Sequence, residues 1–159
     1  MKKVNLIFTL RIGLLLLLLS FGPLVQAQQH LHIGPLFEKY GNQNQVTRVE
    51  LHESLLRSYH MTLYKSLVFE NVNPYLEEIL RCLKLDAASG KVRKTQEIKE
   101  SGRLSSAYYR LETAKRQGTT VNRYILFKRD RKNKAALIYI EGPLQEDELM
   151  NILYKKQED

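Results

Sequence analysis

The sequence has a single cysteine, Cys82, and no tryptophan among its 159 residues. One cysteine excludes an intramolecular disulfide, so the fold has to be stabilised by a packed core. Cys82 lies in an apolar helical pattern, which predicts a buried small hydrophobic residue. An intermolecular disulfide or a redox thiol is the alternative, although no CxxC motif accompanies this cysteine.

Recognisable catalytic and metal-binding motifs are also missing. The sequence contains no GxSxG and no glycine-rich phosphate loop, and His52-Glu53 is not followed by the second histidine of HExxH. The histidines are scattered along the chain. We therefore expect a non-catalytic protein without a cofactor. An enzyme whose site is assembled from distant residues is the alternative.

The amino terminus has the three-part pattern of a secretory leader. Lys2 and Lys3 precede an apolar run over residues 12–19, and Val25-Gln26-Ala27 is a small-x-small cleavage pattern. This arrangement predicts a signal peptide over residues 1–27 and a single exported domain over residues 28–159. No cysteine stands directly after the cleavage site, so we expect a periplasmic or secreted protein without a lipid anchor.

The charge balance limits the possible partners. The full chain has 25 Lys and Arg and 17 Asp and Glu; removing the three cations of the leader leaves 22 against 17, a net charge of +5. Such a mildly basic exported domain disfavours nucleic acid as a partner. We expect no transmembrane segment after signal cleavage, and composition does not define the oligomeric state.

Cleavage after Ala27 would also create a possible metal site. The mature chain would begin Gln28-Gln29-His30, so that the free amine, two backbone amides and the imidazole could form a square-planar copper or nickel site. His32 could add an axial contact. An amino-terminal glutamine readily cyclises, however, which would remove the amine.

Residues 120–142 predict a β-hairpin, because two runs rich in branched and aromatic residues flank a polar turn. Residues 104–113 predict a preceding strand, and residues 46–51 a strand at one edge. Helical spacing predicts a short helix near residues 35–41, a longer one after Asn73-Pro74, and a last one over residues 145–155. The pattern of residues 53–72 is mixed, and residues 91–100 resemble a charged connector.

Together these elements predict an α+β fold. We expect an antiparallel sheet of three to four strands, built on the carboxyl-terminal meander, with helices packed mainly on one face.

Two groups of side chains are candidate binding residues. Tyr124, Tyr139 and one of Tyr108 or Tyr109 could line an exposed surface that suits protein or glycan partners. The basic turn could attract an anionic glycan or lipid, or an envelope protein; its cations are Lys128, Arg129, Arg131, Lys132 and Lys134. The alternatives are tyrosines covered by residues 53–72 and a solvated hairpin tip that discourages edge pairing.

Several short segments carry a resemblance to a known class of proteins. They are Leu36-Phe37-Glu38-Lys39-Tyr40, Val46-Thr47-Arg48-Val49, Arg123-Tyr124-Ile125-Leu126 and Leu137-Ile138-Tyr139-Ile140-Glu141-Gly142. With these segments the chain resembles small exported domain-of-unknown-function proteins of Bacteroidota. The resemblance implies an exported small domain and no catalytic residue.

We predict that cells export the protein and remove residues 1–27. Intact-mass spectrometry of the periplasmic and secreted fractions should find a chain that begins at Gln28. Leu16→Arg should keep the full-length chain in the cytoplasm, because a charge interrupts the apolar run, whereas Leu16→Ile should not. A full-length cytoplasmic chain in the unaltered protein would contradict the prediction.

Overall fold

The computed structural model of the protein describes residues 31–154, which form four α-helices and seven β-strands. In chain order the elements are α1 (Gly34–Tyr40), β1 (Val46–Glu50), α2 (Glu53–Ser58), β2 (Leu63–Phe69), α3 (Asn73–Ala88), β3 (Val92–Glu100), β4 (Arg103–Leu111), β5 (Ala114–Arg116), β6 (Thr119–Arg129), β7 (Ala135–Gly142) and α4 (Glu146–Tyr154). The predicted signal peptide, residues 1–27, lies outside the described residues.

The strands form an antiparallel sheet with the order β1-β2-β7-β6-β4-β3, and β5 pairs with β6 beside this path. The predicted hairpin is confirmed as β6 and β7, the preceding strand as β4, and the edge strand as β1. The prediction of three to four strands is wrong, because seven are present in the described part of the chain.

The missed strands are β2, β3 and the short β5. Eight of the nine residues of β3 are exposed, so this strand lacks the apolar alternation that reveals a half-buried strand. β2 lies within residues 53–72, whose mixed pattern predicts neither a helix nor a strand. It lies between β1 and β7, where residues from both of its faces are partly or fully buried.

Both faces of the sheet are covered by helices, which corrects the prediction that the helices pack mainly on one face. On the first face, Ile125 and Phe127 share a core with side chains of α1 and α3, such as Phe37 and Ile79. On the second face, Tyr124 and Ile140 share a smaller core with Leu149 of α4. Successive side chains of a strand point to opposite faces of the sheet. Because each face contributes to a core, the central strands carry apolar side chains on both sides.

The longest described helix, α3, has its buried stripe on the first face. Ile79, Cys82 and Leu83 are buried there, so the prediction of a buried cysteine is confirmed. Pro74 lies in the first turn, where its missing N–H costs no helical hydrogen bond. None of the helices within residues 31–154 is long and apolar enough to cross a membrane.

Asp86 of α3 anchors the segment that leads into α1. This residue is 1% exposed. Its carboxylate accepts hydrogen bonds from the backbone N–H groups of His32, at 2.7 Å, and Ile33, at 3.0 Å. The Nδ1 of His32 lies 2.9 Å from the same carboxylate. One acidic side chain therefore satisfies buried backbone donors that no helix or strand provides for.

Replacing Asp86 by Ala should lower the free energy of unfolding by about 2–4 kcal/mol, because buried N–H groups would lose their acceptor. Urea unfolding followed by circular dichroism measures the change. Asp147→Ala, at an exposed position of α4, is the matched control and should change the stability by less than about 0.5 kcal/mol. Equal stability of the two variants would show that Asp86 is not an anchor.

Candidate functional site: an open row on the second sheet face

The strand registers arrange the side chains of the second face in rows that cross the sheet. One row takes a residue from each of five neighbouring strands: Val68, Ala136, Lys128, Ser106 and Ile98. We call these five residues the open row. It lies next to the turns that connect β6 to β7 and β3 to β4, since Lys128 and Ile98 stand near the ends of their strands.

Two short helices cover the opposite end of this face. The helix α4 follows β7 directly, so it starts from the carboxyl end of β7, and its nine residues span about 14 Å. The loop after α2 is held at the same end, because the N–H of Leu144 donates to the carbonyl of His60 at 3.0 Å. Gly142 permits this approach; a Cβ there would lie 2.4 Å from the same carbonyl oxygen.

The open row remains accessible because neither helix extends over it. Ile98 is 59% exposed and Val68 is 38% exposed, whereas Tyr124, in a row nearer to α4, is 0% exposed. Lys128, in the middle of the open row, is exposed as well, and Ala136 and Ser106 are partly exposed. The second face thus ends in a row of three apolar residues and one serine, with a lysine at its centre.

The two turns beside the open row are strongly basic. Residues 99–103 and 128–134 contain seven cations and only two carboxylates, Glu100 and Asp130. The cations are Lys99, Arg103, Lys128, Arg129, Arg131, Lys132 and Lys134. We call these seven residues the basic end. Five of them are the basic turn predicted from the sequence, which the structure places at the open row.

Few of the cations in the basic end are neutralised. Lys134 Nζ lies 2.5 Å from Glu70, and this hydrogen bond raises the pKa of Lys134. Arg131 has only a long contact with Glu100, at 3.8 Å. Within residues 31–154, Lys128, Arg129 and Lys132 have no ion-pair partner. Their charge is available to a ligand.

The predicted tyrosine-lined surface is not present. Tyr109 is 1%, Tyr124 0% and Tyr139 9% exposed. Tyr109 and Tyr139 belong to the core of the first face, whereas Tyr124 stacks on Tyr108 in the core of the second, with ring centroids 6.2 Å apart. The strands β4, β6 and β7 lie inside the sheet, and helices cover both faces at the positions of these tyrosines, which leaves the rings no solvent-facing side.

The predicted amino-terminal metal site lies mostly outside the described residues, which begin after Gln28, Gln29 and His30. His32 is described, and its Nδ1 contacts Asp86 at 2.9 Å. Among the described residues no group of three or more His, Cys, Asp or Glu side chains could hold a metal ion.

A buried ionic network that sequence analysis missed lies on the first face, at the end of the sheet away from the basic end. Arg116 of β5 donates to both oxygens of Glu141, at 2.8 Å each. Tyr139 donates to Glu141, and Arg123 Nε donates to the Tyr139 hydroxyl at 3.0 Å. Arg123 and Glu141 are directly opposite each other on β6 and β7. Because Arg123 sits in an apolar strand, its burial at 1% exposure could not be predicted from composition.

The network fixes the ionisation of Glu141. Burial alone would raise the pKa of this carboxyl, but hydrogen bonds from Arg116 and Tyr139 and the charges of Arg116 and Arg123 outweigh burial. The pKa of Glu141 therefore lies below its ordinary value, and burial raises the pKa of Tyr139. The groups bond to one another, so the network is a structural link between β5, β6 and β7.

Comparison with known proteins gives a matching family and similar solved structures. A family model described as a family of unknown function, DUF6108, matches residues 21–153. The chain is similar to a solved structure described as a protein of unknown function, PA94 from Pseudomonas aeruginosa, a putative regulator. The identity is 13%, the match covers 72% of this chain and 80% of that chain, and the TM-score is 0.34, which is too low to support an argument. No curated protein matches.

Replacing Glu141 by Gln should lower the free energy of unfolding at neutral pH by about 2–4 kcal/mol, because it removes the carboxylate from a buried pair. The folded-state pKa is below the ordinary value of 4.5, so the carboxylate stabilises the fold above that pH and less as the pH falls through the folded-state pKa. The difference between the two proteins should therefore shrink in acid.

Urea unfolding at neutral pH and at about pH 3 measures both effects. Glu77→Gln, at an exposed position of α3, is the control and should be nearly neutral at both pH values. A Glu141→Gln difference that stays constant on acidification would disprove the assignment of the effect to the ionised carboxylate.

Proposed function

This chain belongs to DUF6108, a family of unknown function, and we propose that it is an exported, non-catalytic interaction module. Its partner is a protein of the cell envelope or the cell exterior. The open row, flanked by the basic end, forms the contact surface. The leader predicted over residues 1–27 supports export, and the described residues provide the surface.

The observation that carries this proposal is the incomplete cover of the second face. Ile98 and Val68 are exposed on the same face of one sheet, with Lys128 between them. The row thus leaves two large apolar side chains uncovered at its ends, beside charged residues, and apolar surface that is rimmed by polar residues is typical of interaction sites. The exposed cations beside the open row would orient an acidic partner and increase the rate at which it associates.

The alternative class, an enzyme, is less well supported by the described residues. An active site gathers convergent polar groups with shifted pKa values in a cleft. The densest such set in the described part of the chain is the Glu141 network, in which arginines and a tyrosine already bond to the carboxylate. The geometry therefore favours recognition by the open row.

We predict that a photoreactive amino acid at position 98 or 68 captures the same envelope or secreted protein in living cells. The same amino acid at position 85 is the matched control, because Leu85 is 39% exposed but belongs to α3 on the first face. Covalent complexes are identified by mass spectrometry. Capture should occur at positions 98 and 68 and not at position 85.

Equal capture at all three positions would indicate nonspecific contact, and capture at position 85 alone would move the interface to the first face. Either result would overturn the proposal, as would the absence of any complex from positions 98 and 68. Because Ile98 and Val68 are exposed, their replacement should leave the fold intact.

A further inference from the structure

We infer that the open row binds an amphipathic α-helix of the partner protein, and that this helix carries acidic side chains. The inference rests on the proposed function and adds the shape and charge of the element that is bound. It follows from three features: the difference in height between the helical layer and the uncovered end of the face, the length of the row, and the charge around the row.

The two ends of the second face differ in height above the sheet. Helices cover one end of it, and an α-helix packed on a sheet forms a layer about 10 Å thick. At the open row this layer is absent, as the exposure of Val68, Lys128 and Ile98 shows. A planar membrane could not lie flat on the row, because α2 and α4 protrude from the sheet at the other end of the same face. A single helix has the thickness that would continue the layer.

The length of the row sets the length of the bound helix. Val68 and Ile98 are four strand spacings apart, which corresponds to about 19 Å. A helix rises 1.5 Å per residue, so about 13 residues, between three and four turns, would cover the row. Apolar residues would meet Val68 and Ile98 near its two ends.

The charge around the row determines which helix is favoured. Lys128 projects from the middle of the row and has no ion-pair partner within residues 31–154. Covering an unpaired lysine with an apolar helix would carry a desolvation cost. An acidic side chain near the middle of the helix offsets this cost, and further acidic residues on the flank nearest the turns would face Arg131 and Lys132. A basic helix would be repelled.

Defined probes test this inference with the exported protein. The first is a helical peptide of about 14 residues with leucines along one side and glutamates beside them, long enough to cover the row. The second has lysines in place of the glutamates, and the third probe is a vesicle of phosphatidylethanolamine with roughly one quarter phosphatidylglycerol. Binding is followed through the methyl resonances of Val68 and Ile98, with Leu85 as the internal reference.

The glutamate peptide should shift the Val68 and Ile98 resonances and bind at least about tenfold more tightly than the lysine peptide, the difference expected of several exposed charge pairs. Lys128→Glu should weaken the glutamate peptide about fivefold. Lys84→Glu, an exposed charge reversal on α3, makes the same change in net charge and should weaken it less than about twofold.

Equal binding of both peptides would overturn the charge assignment, and so would equal effects of Lys128→Glu and Lys84→Glu. Shifts caused by the vesicles but by neither peptide would overturn the helix in favour of a lipid surface. Photocapture at position 98 combined with no binding of either peptide would reject the helix while leaving the proposed interaction module standing.

Discussion

The register of β6 is the constraint on which the rest of this structure depends. β6 is paired with β7 along eight residue pairs and with β4 along five, and its alternate side chains face opposite layers. Ile125 and Phe127 enter the first core, while Tyr124 enters the second. A shift by one residue would bury Lys128 under α1 and α3 and expose Phe127. The same register that builds both cores therefore places a lysine in the open row.

The helices cover the two faces of the sheet unequally, because they differ in length and in where the chain attaches them to the sheet. The sixteen residues of α3 extend for about 24 Å and connect β2 with β3 at the far edge, so this helix passes over the first face. Among residues 31–154, the second face has the six residues of α2 and the nine of α4, both held at the carboxyl end of β7. Within this part of the chain, connectivity leaves the opposite end of the face without a helix.

Sequence patterns predicted the helices and strands that have one buried and one exposed side. They missed strands without that contrast. The hairpin and the helices α1, α3 and α4 follow from apolar periodicity and from proline at helix starts. The pattern of β3 predicts a connector because its charged residues are exposed on both sides, and bulges near Arg93 and Lys99 interrupt its pairing. The burial of Tyr109, Tyr124 and Tyr139 depends on strand order, which long-range pairing decides. The basic turn was visible in sequence, but its position beside Val68 and Ile98 was not.

In the proposed interaction, Lys128 affects both self-association and the choice of partner. Without a charge, the row of Val68, Ala136 and Ile98 would be open to face-to-face association between copies of the protein. The exposed Lys128 disfavours such contacts, because two copies would bring like charges together. The same charge has to be matched when a genuine partner covers the strip, because an unpaired buried ammonium is costly. A purely apolar partner is therefore penalised along with self-association. In the proposed interaction, the charge that disfavours self-association is therefore the same charge that selects an acidic helix.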